Sequence, residues 1–126
     1  MTVLLDSSAW LEYFFGSKKA EKVKLIVDSS ERIISSKINI FEVYYRILKE
    51  KNREQAEKHV SFILSRAELD DLDTETLKLA ADEKEKFGLG MADAIILATA
   101  LKHNADIYTG DFDFKVAKDL IKIEFV

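Results

Sequence analysis

Cysteine and proline are both missing from this chain, and glycine occurs only four times. Without cysteine there is no disulfide, no thiolate metal site and no cysteine nucleophile. Histidine is nearly absent too. His59 and His103 are the only two, too few for a histidine-rich transition-metal site, so any metal would be held by oxygen. Basic charge is not in excess. Nineteen Lys and Arg against 23 Asp and Glu leave a net charge of −4, which argues against a protein that coats nucleic acid. It does not exclude nuclease chemistry, because an acidic site carries its own negative charge until a cation binds. No apolar stretch approaches twenty residues, and no basic N-terminus leads into an apolar segment with a cleavage site. The expectation is a cytoplasmic protein without a membrane segment.

What is present suits one soluble domain over residues 1–126, with 48% hydrophobic and 33% charged residues and no linker or repeat. The most apolar stretch runs from Gly90 to Leu101 and contains a single charge, Asp93. It is too long for an ordinary strand and too short to span a bilayer, and Ala and Leu favour helix. It reads as a helix buried over most of its circumference. A carboxylate there is costly unless something compensates it. The simpler alternative is a first-turn Asp meeting the positive end of the helix dipole.

The remaining chain alternates short apolar runs with helical patterns. Residues 2–5, 32–35, 68–72, 105–109 and 121–126 read as strands, the third of them weak. Helices are expected over residues 9–15, 18–29, 38–51, 52–66 and 73–87. Asp6, Ser7 and Ser8 offer caps for the first, and Ser36 for the third. In the fourth, Val60, Phe62, Ile63 and Leu64 are expected to face inward. Lys18-Lys19 and residues 82–86 read as solvated helix faces. Strands alternating with helices predict an α/β fold with a parallel sheet covered on both faces.

Four carboxylates stand out by context. Asp6 ends the first strand and Asp111 follows the fourth, and ligands of open parallel sheets bind at such carboxyl ends. Glu42 and Asp93 lie early in apolar helices that start over the same sheet edge. Each has a simpler reading: Asp6 as a helix cap, Glu42 on an exposed stripe, Asp111 as a turn residue. Asp113 reads more simply as a cap for the short helix after it. Converged, the four acids cannot all stay ionised without a cation. A hard divalent ion, Mg²⁺ or Mn²⁺, resolves the conflict, and such a site suits phosphodiester hydrolysis. Ser7 and Thr109 place hydroxyls there to orient water or a phosphate, though each also serves as a cap or a strand-end residue.

These same residues carry a resemblance. Leu4-Leu5-Asp6-Ser7-Ser8-Ala9-Trp10-Leu11, Asn39-Ile40-Phe41-Glu42-Val43, residues 88–100 and Tyr108-Thr109-Gly110-Asp111-Phe112-Asp113-Phe114 occur in the order and spacing of the PIN domain. Within that family the chain resembles the VapC-type toxins of toxin–antitoxin pairs. The resemblance implies a three-layer fold with a mainly parallel five-stranded sheet flanked by helices. It implies a ribonuclease dependent on Mg²⁺ or Mn²⁺, with Asp6, Glu42, Asp93 and Asp111 as its catalytic, metal-holding acids. Thr109 would be the supporting hydroxyl and Asp113 an additional acid. It also implies RNA as substrate, a small VapB-type antitoxin as partner, and a homodimer. The alternatives are a PIN nuclease that processes RNA outside a toxin pair, or a silent binding module, which loss of a quartet acid would favour. Candidate RNA contacts are Lys37, Arg46, Lys49, Lys51, Lys115 and Lys118. For Tyr44 and Tyr45, core or interface packing is expected ahead of base stacking.

Overall fold

The computed structural model describes residues 1–16, 18 and 20–126. In chain order the elements are β1 (Thr2–Leu5), α1 (Ser7–Phe15), α2 (Ala20–Val27), β2 (Arg32–Ser35), α3 (Lys37–Glu50) and α4 (Arg53–Arg66). They continue with β3 (Glu68–Leu69), α5 (Thr74–Phe87), α6 (Met91–His103), β4 (Asp106–Thr109), a 3₁₀ segment (Phe112–Ala117) and β5 (Ile123–Phe125). The strands form one five-stranded sheet in the order β3-β2-β1-β4-β5, and every pairing is parallel. The expected "mainly parallel" sheet is thus parallel throughout. Chain order reverses between β1 and β4, the place where open α/β sheets open a crevice beyond their carboxyl ends.

The period-two alternation of a strand sorts the central residues onto two faces. Leu4, Ile34 and Ile107 belong to a core shared with the buried side of α6, Ala94 to Ala98 and Ala100. Val3, Leu5 and Ile33 belong to a second core with Trp10, Val23, Val43, Val60 and Ile63, which come from α1, α2, α3 and α4. The result is three layers with a sheet buried on both sides. Seven consecutive residues of α6, Ala94 to Ala100, are buried, as the composition of that stretch predicts.

Several local expectations change. The first helix starts at Ser7, so Ser7 and Ser8 lie inside it, and Asp6 stands at its N-cap without making a side-chain capping bond. The second begins at Ala20 rather than residue 18, and Lys19 lies outside the described residues. In α4 the buried positions are Ala56, Val60 and Ile63. Phe62 and Leu64, one residue either side of that line, turn about 100° away from it and are 37% and 49% exposed. They are not core residues. In the 82–86 run, Glu83 is buried rather than solvated.

The third strand is only two residues long and is followed by Asp70, whose N–H still donates to the Ser35 carbonyl at 2.9 Å. The Asp70 side chain accepts from the Leu72 N–H at 2.8 Å and holds Leu72 at φ 53°, a left-handed conformation rare for leucine. The same carboxylate meets His103 Nε2 at 2.7 Å and Lys102 Nζ at 3.0 Å, clamping the end of α6 to the sheet edge. Gly88 ends α5 in the left-handed conformation at φ 70°, and Gly90 then starts α6, which brings Asp93 to the carboxyl edge of the sheet. No described helix is long and apolar enough to cross a membrane.

Candidate active site

Beyond the carboxyl ends of β1 and β4 lies a groove of about 630 Å³. Asp6, Glu42, Asp93 and Asp111 all line it, together with Ser7 and Ser8. The four acids singled out in the sequence are therefore brought to one place by four different elements. Their surroundings differ, and the differences follow from where each one starts.

Asp6 is only 6% exposed, because it directly follows β1, the central strand, and is held by side chains of the neighbouring β4 and of α3. Its Oδ2 accepts from Thr109 Oγ1 at 2.8 Å, and its Oδ1 accepts from Asn39 Nδ2 at 3.3 Å. Burial pushes its carboxyl up. The Thr109 hydrogen bond opposes that by favouring the charged form, while the charges of Glu42 and Asp111 push the same way as burial. Thr109 is itself fully buried and also accepts from the Asp111 N–H at 2.9 Å, so one hydroxyl ties together the ends of β1 and β4.

Glu42 is half-buried on α3, and Ser7 Oγ donates to its Oε1 at 2.7 Å. Asp93 stands in the first turn of α6 and Asp111 caps the 3₁₀ segment, accepting from the Asp113 N–H at 2.9 Å. The cap that the sequence suggested for Asp113 is thus made by Asp111. Asp113 is exposed and offers its carboxylate to the cluster instead. Asp93, Asp111 and Asp113 each present an oxygen within 4.8 Å of the others, the one such group of three among the described residues.

Crowding of like charge is strongest at Asp93. Burial, the charge of Asp111, a hydrogen bond shared with that carboxyl, and the charges of Asp6 and Asp113 together push it up to about 7. A helix N-terminus favours a carboxylate by roughly 0.3–1 kcal/mol, which is less than one pK unit. The dipole reading of Asp93 is therefore outweighed. The donor set is entirely carboxylate oxygen, with no His or Cys in the groove. That chemistry fits a hard divalent cation such as Mg²⁺ or Mn²⁺.

Two residues escaped the sequence reading of the site. Ser8 Oγ accepts from the Gly110 N–H at 2.9 Å and lies 3.3 Å from Thr109 Oγ1, so it helps to pin the loop that carries Asp111. Asn39 is fully buried at the start of α3. Its Nδ2 reaches both Asp6 and Ser7 Oγ, the latter at 3.0 Å, and its Oδ1 accepts from the Ser36 N–H at 3.0 Å. It closes a capping box with Ser36 and fixes Asp6, and through Ser7 it fixes Glu42. The signal was present: an Asn three residues after a Ser that caps a helix. Asn39→Ala leaves three buried polar groups without this partner, and we expect it to lower unfolding stability by about 2 kcal/mol. Urea denaturation checks this; an unchanged midpoint would remove Asn39 from the scaffold of the site.

Of the six basic residues proposed as RNA contacts, only Arg46 and Lys49 line the groove. Arg46 Nε is ion-paired with Glu50 at 2.5 Å. Lys37 instead donates to the Asp71 carbonyl at 3.2 Å, Lys51 lies over the Phe15 ring, and Lys115 and Lys118 are exposed beyond the 3₁₀ segment's first turn. Tyr44 packs against the second core and its hydroxyl donates to Glu57 Oε1 at 2.9 Å. Tyr45 is not a core residue: it is 55% exposed on the groove wall.

A profile of the PIN domain matches residues 3–120. A search of the curated proteins returns no match. Among solved structures the chain is similar to VapBC2 from Rickettsia felis, bound to a DNA fragment from its promoter, with 23% identity over 98% of each chain and a TM-score of 0.78. It is similar to DNA-bound VapBC from Salmonella typhimurium, with 21% identity, coverage of 98% of this chain and 97% of that one, and a TM-score of 0.77. It is also similar to VapC20 from Mycobacterium tuberculosis, a toxin that cleaves the sarcin–ricin loop. There the identity is 13%, the coverage 94% and 95%, and the TM-score 0.75. These likenesses are of fold.

Proposed function

We infer, because the chain belongs to the PIN domain family, that it is a metal-dependent endoribonuclease acting as the toxin of a VapBC-type pair. The observation that carries this reading is the trio Asp93, Asp111 and Asp113, with an oxygen of each within 4.8 Å of the others; Asp93 and Asp111 line a groove shared with Asp6 and Glu42. So many carboxylates at one sheet edge repel one another, and a fold that needed them only for stability would gain by losing them. Support for the toxin assignment comes from fold neighbours solved as VapBC complexes, and for the nuclease assignment from the neighbour described as a sarcin–ricin loop cleaving toxin. The reading includes a small VapB-type antitoxin as partner, a homodimer as the working unit and the cytoplasm as the compartment.

In this mechanism Asp93, Asp111 and Asp113, together with Asp6, would hold Mg²⁺ or Mn²⁺. Bound there, the ion supplies charge stabilisation for attack of water on a phosphodiester and for the departing oxygen. The protein's own groups do the positioning. Asp6 is locked by Thr109 and Asn39, so its orientation is set before anything binds. Glu42, held by Ser7, forms the opposite part of the groove. Burial and the neighbouring carboxylates push Asp93 up to about 7, so a cation bound there would compete with a proton.

The test is direct. Purified protein with Mn²⁺ or Mg²⁺ is expected to cut a single-stranded RNA internally, giving two end-labelled products, and to leave DNA of the same sequence intact. No cleavage of RNA mixtures with either ion would overturn the reading.

A further inference from the structure

The outer surface of α3 carries two parallel rows. One row runs Phe41, Tyr45, Lys49 and the next runs Glu42, Arg46, Glu50, each at intervals of four residues and so each stacked along the helix. All six residues line the acidic groove. Phe41 and Tyr45 are 67% and 55% exposed, which is unusual for aromatic rings in a chain with two well-filled cores. Their rings are nearly parallel, 6° apart, with centroids 6.1 Å from each other. They present a pair of stacked, near-parallel rings in the same groove as the carboxylates. At its far end Lys49 has no hydrogen-bond or ion-pair partner among the described residues, whereas Arg46 is held by Glu50.

We propose that Phe41 and Tyr45 are a stacking platform for unpaired RNA bases next to the cut, with Lys49 taking the phosphate beyond them. The substrate class is single-stranded RNA, read through the faces of its bases rather than their edges. This rests on the nuclease reading above and adds to it where the substrate lies and what form it has. Aromatic rings interleaved with cations form the surface used for single strands, because every base has a face that stacks and every linkage has a phosphate. In a duplex the faces are already stacked on each other and are not available. A protein-docking face accounts less well for the arrangement, because the rings stand in the same groove as Asp6, Asp93 and Asp111, where Leu11 is the one further apolar lining residue among those described.

Cleavage kinetics on one RNA oligonucleotide test the platform. Phe41→Leu combined with Tyr45→Leu keeps the apolar bulk and removes the rings. Its KM is expected to rise roughly 10- to 100-fold with kcat within about twofold, as stacking energies imply. Phe41→Tyr combined with Tyr45→Phe is expected to keep the wild-type KM. The same oligonucleotide annealed to its full complement is expected to be cut poorly by the wild type. A leucine pair with wild-type KM overturns the platform, and so does one that changes only the oligomeric state on size-exclusion chromatography, which would make the face a protein contact. If circular dichroism shows the leucine pair misfolded, RNA carrying abasic positions on both sides of the cut replaces it. A KM raised to the same degree supports the platform and an unchanged KM overturns it. A wild-type protein that cuts no RNA fails at the earlier step, the nuclease reading itself.

Discussion

Asp93→Asn is expected to reduce RNA cleavage on the order of 10³-fold or more while leaving the fold intact and the metal-free protein more stable at pH 8. The two effects have one cause. Asparagine fills the same space in the first turn of α6 but brings no charge. It therefore removes a ligand from the trio with Asp111 and Asp113, and with it the repulsion that makes the trio costly when no cation is bound. The sign follows from the direction of the shift. The carboxyl has an ordinary value of 3.8 and is pushed up to about 7 in the folded chain. Between these pH values the folded protein holds a proton that the unfolded chain has released. Stability from this group is therefore greatest at low pH and falls as pH rises through the window. A three-unit shift sets a ceiling of about 4 kcal/mol. Asp93 is only half-buried, so solvent screening brings the expected loss at pH 8 down to about 1–2 kcal/mol. Urea denaturation of metal-free protein at pH 5.5 and pH 8 reads this directly. The wild type should lose stability between the two relative to Asp93→Asn. A variant that cuts RNA at the wild-type rate would sink the assignment of Asp93, and parallel pH profiles would sink the repulsion argument.

Most of what positions this site was legible before any coordinates, for reasons that are local. A short apolar run ending in Asp, or a twelve-residue apolar stretch with one acid near its start, declares both its element and the oddity of its charge. Burial and element type follow from neighbours in the sequence, so the expected bounds of β1, β2 and α6 lie within a residue or two of the observed ones. Strand order is a different matter. That β1 lies between β2 and β4 depends on how crossovers pack, and no local pattern encodes it. The inward expectation for Phe62 and Leu64 failed because apolar character alone was read as burial, against the helical line through Ala56, Val60 and Ile63. The core alternative for Tyr45 fails for the same reason. Asn39 was harder, since a buried amide between two elements is visible as a helix cap in sequence but as a link to Asp6 only in space. That Asp111 rather than Asp113 caps the 3₁₀ segment has the same root. Either acid can cap a helix two residues on, and the path of the loop after Gly110 decides which one does.

Removal of divalent metal should abolish cleavage altogether, and Mn²⁺ or Mg²⁺ added back should restore it. Among the described residues, nothing in the groove replaces the cation's charge. The basic residues lining it are Arg46, already bound to Glu50, and Lys49, on the far side of the aromatic pair. A phosphodiester brought toward five carboxylates without a cation meets only repulsion, apart from those two groups. The same competition predicts how metal affects stability. A ligand that binds only the folded chain stabilises it by about 2.7 kcal/mol at a hundred times its Kd. At pH 8 Asp93 is ionised and should bind the ion fully. At pH 5.5 it holds its proton, and the ion must displace it, so the same Mn²⁺ concentration should raise the unfolding midpoint less. Asp93→Asn should lose most of the pH 8 gain, and Asp111→Asn should do likewise, whereas Lys49→Ala should not. The measurement is a thermal melt at the two pH values with and without Mn²⁺, paired with cleavage after exhaustive chelation. Cleavage that persists when metal analysis finds less than one ion per hundred chains would be decisive against the carboxylates as a cation site. A midpoint shift of equal size at both pH values would instead separate metal binding from Asp93 and move the site toward Asp111 and Asp113 alone.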